Sequence, residues 1–134
     1  MQHEHGIYQL ALYSGNILVV DAVGPWNLES VQHYHNDVVQ VVEAFKGEAW
    51  RNIAILRSET LFIPEVAEFL KQHLNWRKTV NVLSDTIILT NSITQHISHV
   101  QIQSMFDSVD MTVFFANTLD DALGDTVPKP TPLI

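Results

Sequence analysis

The sequence predicts a single α/β domain, a central mixed and mainly parallel sheet with helices packed on it. Three observations lead there. Short aliphatic and β-branched runs of strand length recur along the chain. Between them lie stretches with apolar residues at three- and four-residue steps, the period of a helix with one buried face. Turn and capping sequences fall at the joints. The chain has 134 residues, one domain's worth, and a chain of that size buries roughly two-thirds of its unfolded surface. The expected division is a single domain over 1–124 and a proline-rich extended tail over 125–134.

Ile7 to Tyr13 reads as an edge strand, and Ser14-Gly15-Asn16 as a tight turn. Ile17 to Val23 is almost continuously apolar, as in a buried central strand, and pairs with the first strand as a hairpin. Asn27 is placed to cap a helix with Glu29 in its first turn. Its inner face is Val31, Tyr34, Val38, Val41, Val42 and Phe45, and Gly47 stops it. Ile53 to Leu56 is the next strand. Pro64 opens a second helix whose inner face is Val66, Phe69, Leu70 and Leu74. Val80 to Leu83 is a strand, and 86–91 fits either its continuation or a helix entry. Ser92-Ile93-Thr94-Gln95 has capping-box form. The third helix then carries Ile93, Ile97, Val100 and Phe106 along one face. Met111 to Phe115 is the last strand, and Thr118 caps a short helix that ends at Gly124. The predicted order is ββαβαβαβα, and alternation of this length implies parallel crossovers.

Composition narrows the function. There is no Cys, which removes disulfides, thiolate metal sites and cysteine nucleophiles. The net charge of −8, from 15 acids against 7 Lys and Arg, repels nucleic acid and anionic headgroups. No apolar run approaches the about 20 residues of a membrane span, and Met1 to His5 lacks the form of a signal peptide, so a cytoplasmic protein is expected. Gly-x-Ser-x-Gly and phosphate-cradling glycine arrays are absent. The reading is therefore non-catalytic, without a cofactor. The chain holds 7 His. His33 and His35 point apart on a helix, whereas His96 and His99 share a face without a third ligand, so no metal site is expected. A copper site at the Met1-Gln2-His3 amine and imidazole would be incidental.

The element order, with Asn16–Gly24 running to the Asn27 cap, Asn81-Val82-Leu83-Ser84-Asp85 as a strand ending in Asp, and the closing Phe114–Leu123 segment, resembles the STAS and SpoIIAA-like domains over roughly residues 6–123. These are small bacterial regulatory and ligand-binding modules. The chain is most similar to the uncharacterised SpoIIAA-like branch, which is compared with Sec14-type lipid-binding folds. The resemblance implies either of two functions. One is regulation of a protein partner through the loop before the second helix. The other is carriage or sensing of a hydrophobic small molecule or lipid between the second and third helices. Regulatory members carry a phosphorylated serine in an Asp-Ser-x-Gly-like loop. Here the matching loop is Arg57 to Pro64. It lacks the Asp-Ser pair and the Gly, which leaves Ser58 and Thr60 as candidate hydroxyls, with Arg57 to meet a phosphate and Glu59 to repel it.

Leu61-Phe62-Ile63 is apolar where a loop is ordinarily polar. It either plugs the core or forms a binding patch, with Phe69, Ile93 and Phe106 as further candidates. Trp26, Trp50 and Trp76 stand at element boundaries, where aromatics seal the rim of a core or line a pocket mouth. In the tail, Pro128, Pro130 and Pro132 forbid a helix, and Leu133 and Ile134 are expected to anchor an extended arm on this domain or on a second copy in a homodimer.

Overall fold

A computed structural model describes residues 7–58, 61–90 and 94–124, and the backbone of 131–132. The strands are β1 (Ile7–Tyr13), β2 (Ile17–Val23), β3 (Trp50–Arg57), β4 (Val82–Leu89), β5 (Phe114–Ala116) and the two-residue β6 (Thr131–Pro132). The helices are α1 (Leu28–Glu43), α2 (Pro64–Thr79), α3 (Gln95–Ser108) and α4 (Leu119–Leu123). The sheet order is β5-β4-β3-β2-β1-β6. β2, β3, β4 and β5 are parallel, while β1 is antiparallel to both β2 and β6. The α/β class and the central place of β2 are as expected.

β1 is not an edge along its whole length. The tail backbone pairs with it at Ala11–Pro132 and Leu12–Thr131. A proline is tolerated there because an outermost strand can leave its missing N–H side unpaired. Leu133 and Ile134, the expected anchors, lie outside the described residues.

Alternation along the strands gives the sheet two different faces. Leu18, Val20, Ala22, Ala54, Leu56, Ile87 and Leu89 point to the layer of α1, α2 and α3. Tyr13, Ile17, Val19, Ile53, Ile55 and Ile88 point to the other side, where Leu123 of α4 joins them. Within the three-helix layer, α2 contacts both α1 and α3.

Local chemistry explains the element ends. Asn27 caps α1 through a reciprocal box: its Oδ1 accepts from Ser30 N at 2.9 Å, and Ser30 Oγ accepts from Asn27 N at 3.1 Å. Val31, Val38, Val42 and Phe45 are buried as the periodicity predicted. Thr118 caps α4, accepting from Asp121 N. β4 starts at Val82, two residues later than expected, because Val80 terminates α2 and Asn81 turns the chain at φ 68°. It then takes in Ile87-Ile88-Leu89, so 86–89 is strand, and Asp85 stands inside β4 rather than at its end. β5 begins at Phe114, not Met111. Asp110 leaves α3 at φ 59°, and Met111 N bonds back to Phe106 O, which uses these residues in the helix exit.

The third helix differs most from expectation. It starts at Gln95 with Thr94 in the cap position and no side-chain cap bond. Ile97 and Val100, assigned to its inner face, are exposed. Ser98, Ile102, Met105 and Phe106 are buried instead. That stripe has the same helical spacing, and small Ser98 occupies a fully buried position that the larger apolar residues do not take. Ile93 lies outside the described residues.

Candidate functional site

The parallel strands bring polar residues into the layer covered by helices. Asn52 sits mid-strand on β3, opposite Leu18 of β2 and Asp85 of β4. One turn of α2 puts His73 and Arg77 on a common face above them. α1 contributes Tyr34 and His35. Asn52, His73, Arg77 and Asp85 are all buried.

Arg77 organises the group. Its Nη1 donates to Asp85 Oδ1, its Nη2 to the Tyr34 hydroxyl at 2.6 Å, and its Nε to His73 Nε2 at 2.9 Å. This last bond fixes a tautomer. His73 Nε2 must be the acceptor, so its proton is on Nδ1. That proton faces His35 Nδ1 at 2.8 Å, which in turn leaves His35 protonated on Nε2. The hydrogen-bonded chain therefore runs from buried Asp85 through Arg77 and His73 to half-buried His35. Trp76 and Phe69 meet the His35 ring edge-on at 5.2 and 5.9 Å. Tyr8 stands edge-on to Tyr34 at 5.6 Å, and its hydroxyl donates to Asp37.

Burial and charge set the protonation states. Burial, reinforced by the Arg77 cation and by His35, holds His73 well below the ordinary imidazole range. His35 is lowered more mildly, by burial and then by Arg77. Burial raises Asp85, against the pull of Arg77, and also raises Tyr34. Arg77 remains the cation: burial opposes its charge, but Tyr34 and Asp85 outweigh it.

Beside this network lies a cavity of about 90 Å³ between the sheet and all three helices. Ala22 and Ala54 on the sheet leave the space. Trp26, Phe62 and Phe106 wall it, and Asn52, His73, Arg77, Tyr8 and Tyr34 supply its polar lining. Asn52 is only 1% exposed. Its amide lies close enough to Asp85 to favour the carboxylate, yet neither the nitrogen nor the oxygen completes a hydrogen bond of ordinary geometry with any described residue. The same holds for Asp85 Oδ2. A second groove, of about 370 Å³, lies between the ends of α1 and α2. Glu43, Gly47, Glu48, Thr79 and Asn81 on its walls are exposed to water, so binding there gains little from desolvation.

The residues expected to form a binding patch are divided among different surroundings. Phe62 and Phe106 line the cavity. Phe62 is fixed there by a paired contact with α3: Phe62 N donates to Gln101 Oε1 at 2.8 Å, and Gln101 Nε2 donates to Phe62 O at 2.7 Å. Leu61 is half-buried, Ile63 is 48% exposed, and Phe69 packs against His35 rather than on the cavity. Ser58 is exposed, with φ 61°. Thr60 lies outside the described residues. Arg57, expected to meet a phosphate, already holds Asp21 through two bonds of 2.7 and 3.0 Å.

The tryptophans also differ from a simple rim. Trp50 is fully buried and donates its Nε1 to Val80 O at 2.8 Å. His96 and His99 are exposed, and His99 stacks on Phe115 with centroids 3.7 Å apart. Among the described residues no three His, Cys, Asp or Glu gather to hold a metal. His3, in the terminal amine site, is outside them. No described helix is long and apolar enough to cross a membrane.

Sequence reasoning missed Asn52, His73, Arg77 and Asp85. A signal was present. Asn52 interrupts Trp50–Leu56, which is otherwise apolar apart from Arg51, and His73 with Arg77 is an i,i+4 polar pair on the side of α2 that also carries Val66 and Leu70. No protein-family model, curated protein or solved structure matches the chain.

Proposed function

We propose that this is a non-catalytic binding domain whose ligand occupies the cavity under α1, α2 and α3. The observation that carries the reading is Asn52. A buried carboxamide without hydrogen bonds costs about 1–3 kcal/mol, and native structures rarely retain one without a partner. Here it opens onto a cavity that is otherwise mostly apolar, the arrangement of a small-molecule pocket: apolar walls with a few placed polar groups. The resemblance to SpoIIAA-like domains, and through them to Sec14-type folds, points the same way.

The volume narrows the ligand. Pockets for drug-sized molecules measure roughly 300–1,000 Å³, several times the about 90 Å³ found here. A lipid tail would need α2 and α3 to part, against the Phe62–Gln101 pairing. The reading is therefore a sensor or carrier of a compact molecule. Docking of a protein partner by the loop before α2 is the second reading, and exposed Ile63 favours it.

The test is titration of the labelled full chain with two small neutral ring compounds, cyclopentanone and 2-pyrrolidinone, followed by methyl NMR. Shift changes centred on Ala22, Ala54, Ile87 and Ile102 are expected, and Ala54→Leu, which fills the space, is expected to abolish them while the fold persists. Changes confined to Ile63 and the exposed face of α3, or none at all, would contradict the cavity reading.

A further inference from the structure

We infer that the cavity selects a neutral, single-ring molecule carrying a cis-amide edge, a hydrogen-bond donor and acceptor side by side, as in a lactam or cyclic imide. This rests on the reading of the cavity as a ligand site and goes on to its specificity.

The edge follows from Asn52. A carboxamide presents one acceptor oxygen and one donor nitrogen in a plane. Asn52 is held on the sheet floor between Leu18 and Asp85; its oxygen has no partner among the described residues, and its nitrogen, which carries two N–H groups, stands beside Asp85 without completing a hydrogen bond of ordinary geometry. A ketone pairs the nitrogen and leaves the oxygen orphaned. A single hydroxyl must direct both bonds at one atom. A cis-amide meets both groups with two parallel bonds. Sites built to make such a bond reject analogues that lack it strongly, because the protein group is then left buried and unpaired.

Neutrality follows from the network behind Asn52. The Arg77 cation is balanced by Asp85, which it contacts directly, and its Nε and Nη2 are engaged by His73 and Tyr34. His73 accepts from Arg77 on Nε2, so it adds no charge. The charges of this wall thus balance one another, although Asp85 Oδ2 completes no hydrogen bond among the described residues. A charged ligand would bring an unpaired charge into a site that is mostly apolar, which is strongly unfavourable.

Size and shape set the ring. A cavity of about 150 Å³ lined by aliphatic and aromatic side chains accommodates benzene. The present one is about 90 Å³, so one small ring is the upper limit. Phe62, Phe106 and Trp26 offer flat faces to it, and Ala22 and Ala54 define the floor.

The experiment uses the full ¹⁵N-labelled chain and four probes of similar size: 2-pyrrolidinone, cyclopentanone, cyclopentane and propionate. 2-Pyrrolidinone is expected to bind at least tenfold tighter than cyclopentanone and to move the Asn52 side-chain amide resonances. In Asn52→Leu, checked for fold by circular dichroism, that preference is expected to vanish. The wild-type series decides the point even if the variant does not fold. If cyclopentanone or cyclopentane binds as tightly as 2-pyrrolidinone, the cavity is a site but the cis-amide inference is wrong. If propionate binds tightest, neutrality is wrong. If no probe moves any cavity residue, the cavity reading and this inference fall together.

Discussion

The two faces of the sheet solve the same packing problem differently. On the side of α4, the buried cluster is hydrophobic, with the Tyr13 hydroxyl as its one polar side-chain group: Tyr13, Ile17, Val19, Ile53, Ile55, Ile88 and Leu123. On the side of the three helices, a larger apolar core surrounds Asn52, His73, Arg77 and Asp85 and leaves a cavity. The strands are the same, so the contrast lies in the side chains chosen. This chain can build a dry interface of Ile and Val on β2, β3 and β4. The polar residues on the opposite side are not forced by the fold. Replacing a buried ion pair by apolar residues of similar volume is often neutral or stabilising, so stability alone does not account for the network and the unpaired amide; the proposed binding function does.

The contrast breaks most visibly at Asp85. Asp85→Ala leaves the Arg77 cation buried without its carboxylate, and a loss of about 3–5 kcal/mol is expected in denaturant unfolding. The double variant Arg77→Met/Asp85→Leu should lose much less than Asp85→Ala. Equal losses would show that the charges are not coupled. On the other face, Ile53→Ala removes buried apolar volume, and about 2–5 kcal/mol should be lost. That loss should leave probe binding in the cavity unchanged, since Ile53 faces away from it. A matching loss of binding would mean that the two faces do not act independently.

The pH dependence should also belong to one face. His35 and His73 have folded values below the ordinary 6.5, so the unfolded chain binds protons first as pH falls. Their contribution to stability is intact above about 6.5, the ordinary imidazole value, and is lost as pH drops through their folded values. Asp85, being raised, acts in the opposite sense: its contribution is present in acid and is lost as pH rises through its folded value. His73→Gln keeps an acceptor for Arg77 and should flatten the decline just below pH 6.5, measured as unfolding midpoint against pH. An unchanged slope would assign the decline elsewhere. The smallest effect is expected at Arg57→Ala. Its partner Asp21 and Arg57 itself are both well exposed, so about 0–1 kcal/mol should be lost.

The same contrast explains what could be read from the sequence. Period and caps located the elements: Val31, Val38 and Val42 on α1, the β2 run, and the Asn27 and Thr118 caps all behave as their chemistry predicts. The cavity was only half legible. Phe62 reads from the sequence as either a core plug or part of a binding patch, and Phe106 as an inner-face residue of the third helix and a candidate for the same patch, without a cavity between them. Their shared surroundings depend on Gln101 reaching the 61–63 loop, a contact 39 positions apart that no local pattern encodes. The polar cluster was missed because strand ends were drawn too short. The apolar run marks a strand only from Ile53 to Leu56, which leaves Asn52 outside it, and the Ser84-Asp85 pair reads as a strand terminus. On α3, Ile97 and Val100 drew the buried face toward the larger side chains, whereas Ser98, Ile102 and Met105 form the stripe that packs.

The central claim is that Asn52 serves a ligand at the expense of the empty protein. Its most direct test is the unfolding free energy of Asn52→Leu without added ligand, against the wild type freed of any bound small molecule. Leu has the same branched heavy-atom skeleton as Asn, with bulkier methyl groups that the adjoining cavity can take, and removes both unpaired atoms, so a gain of about 1–3 kcal/mol is predicted, together with loss of 2-pyrrolidinone binding. A loss of stability in Asn52→Leu would contradict the account and make Asn52 a structural partner of Asp85.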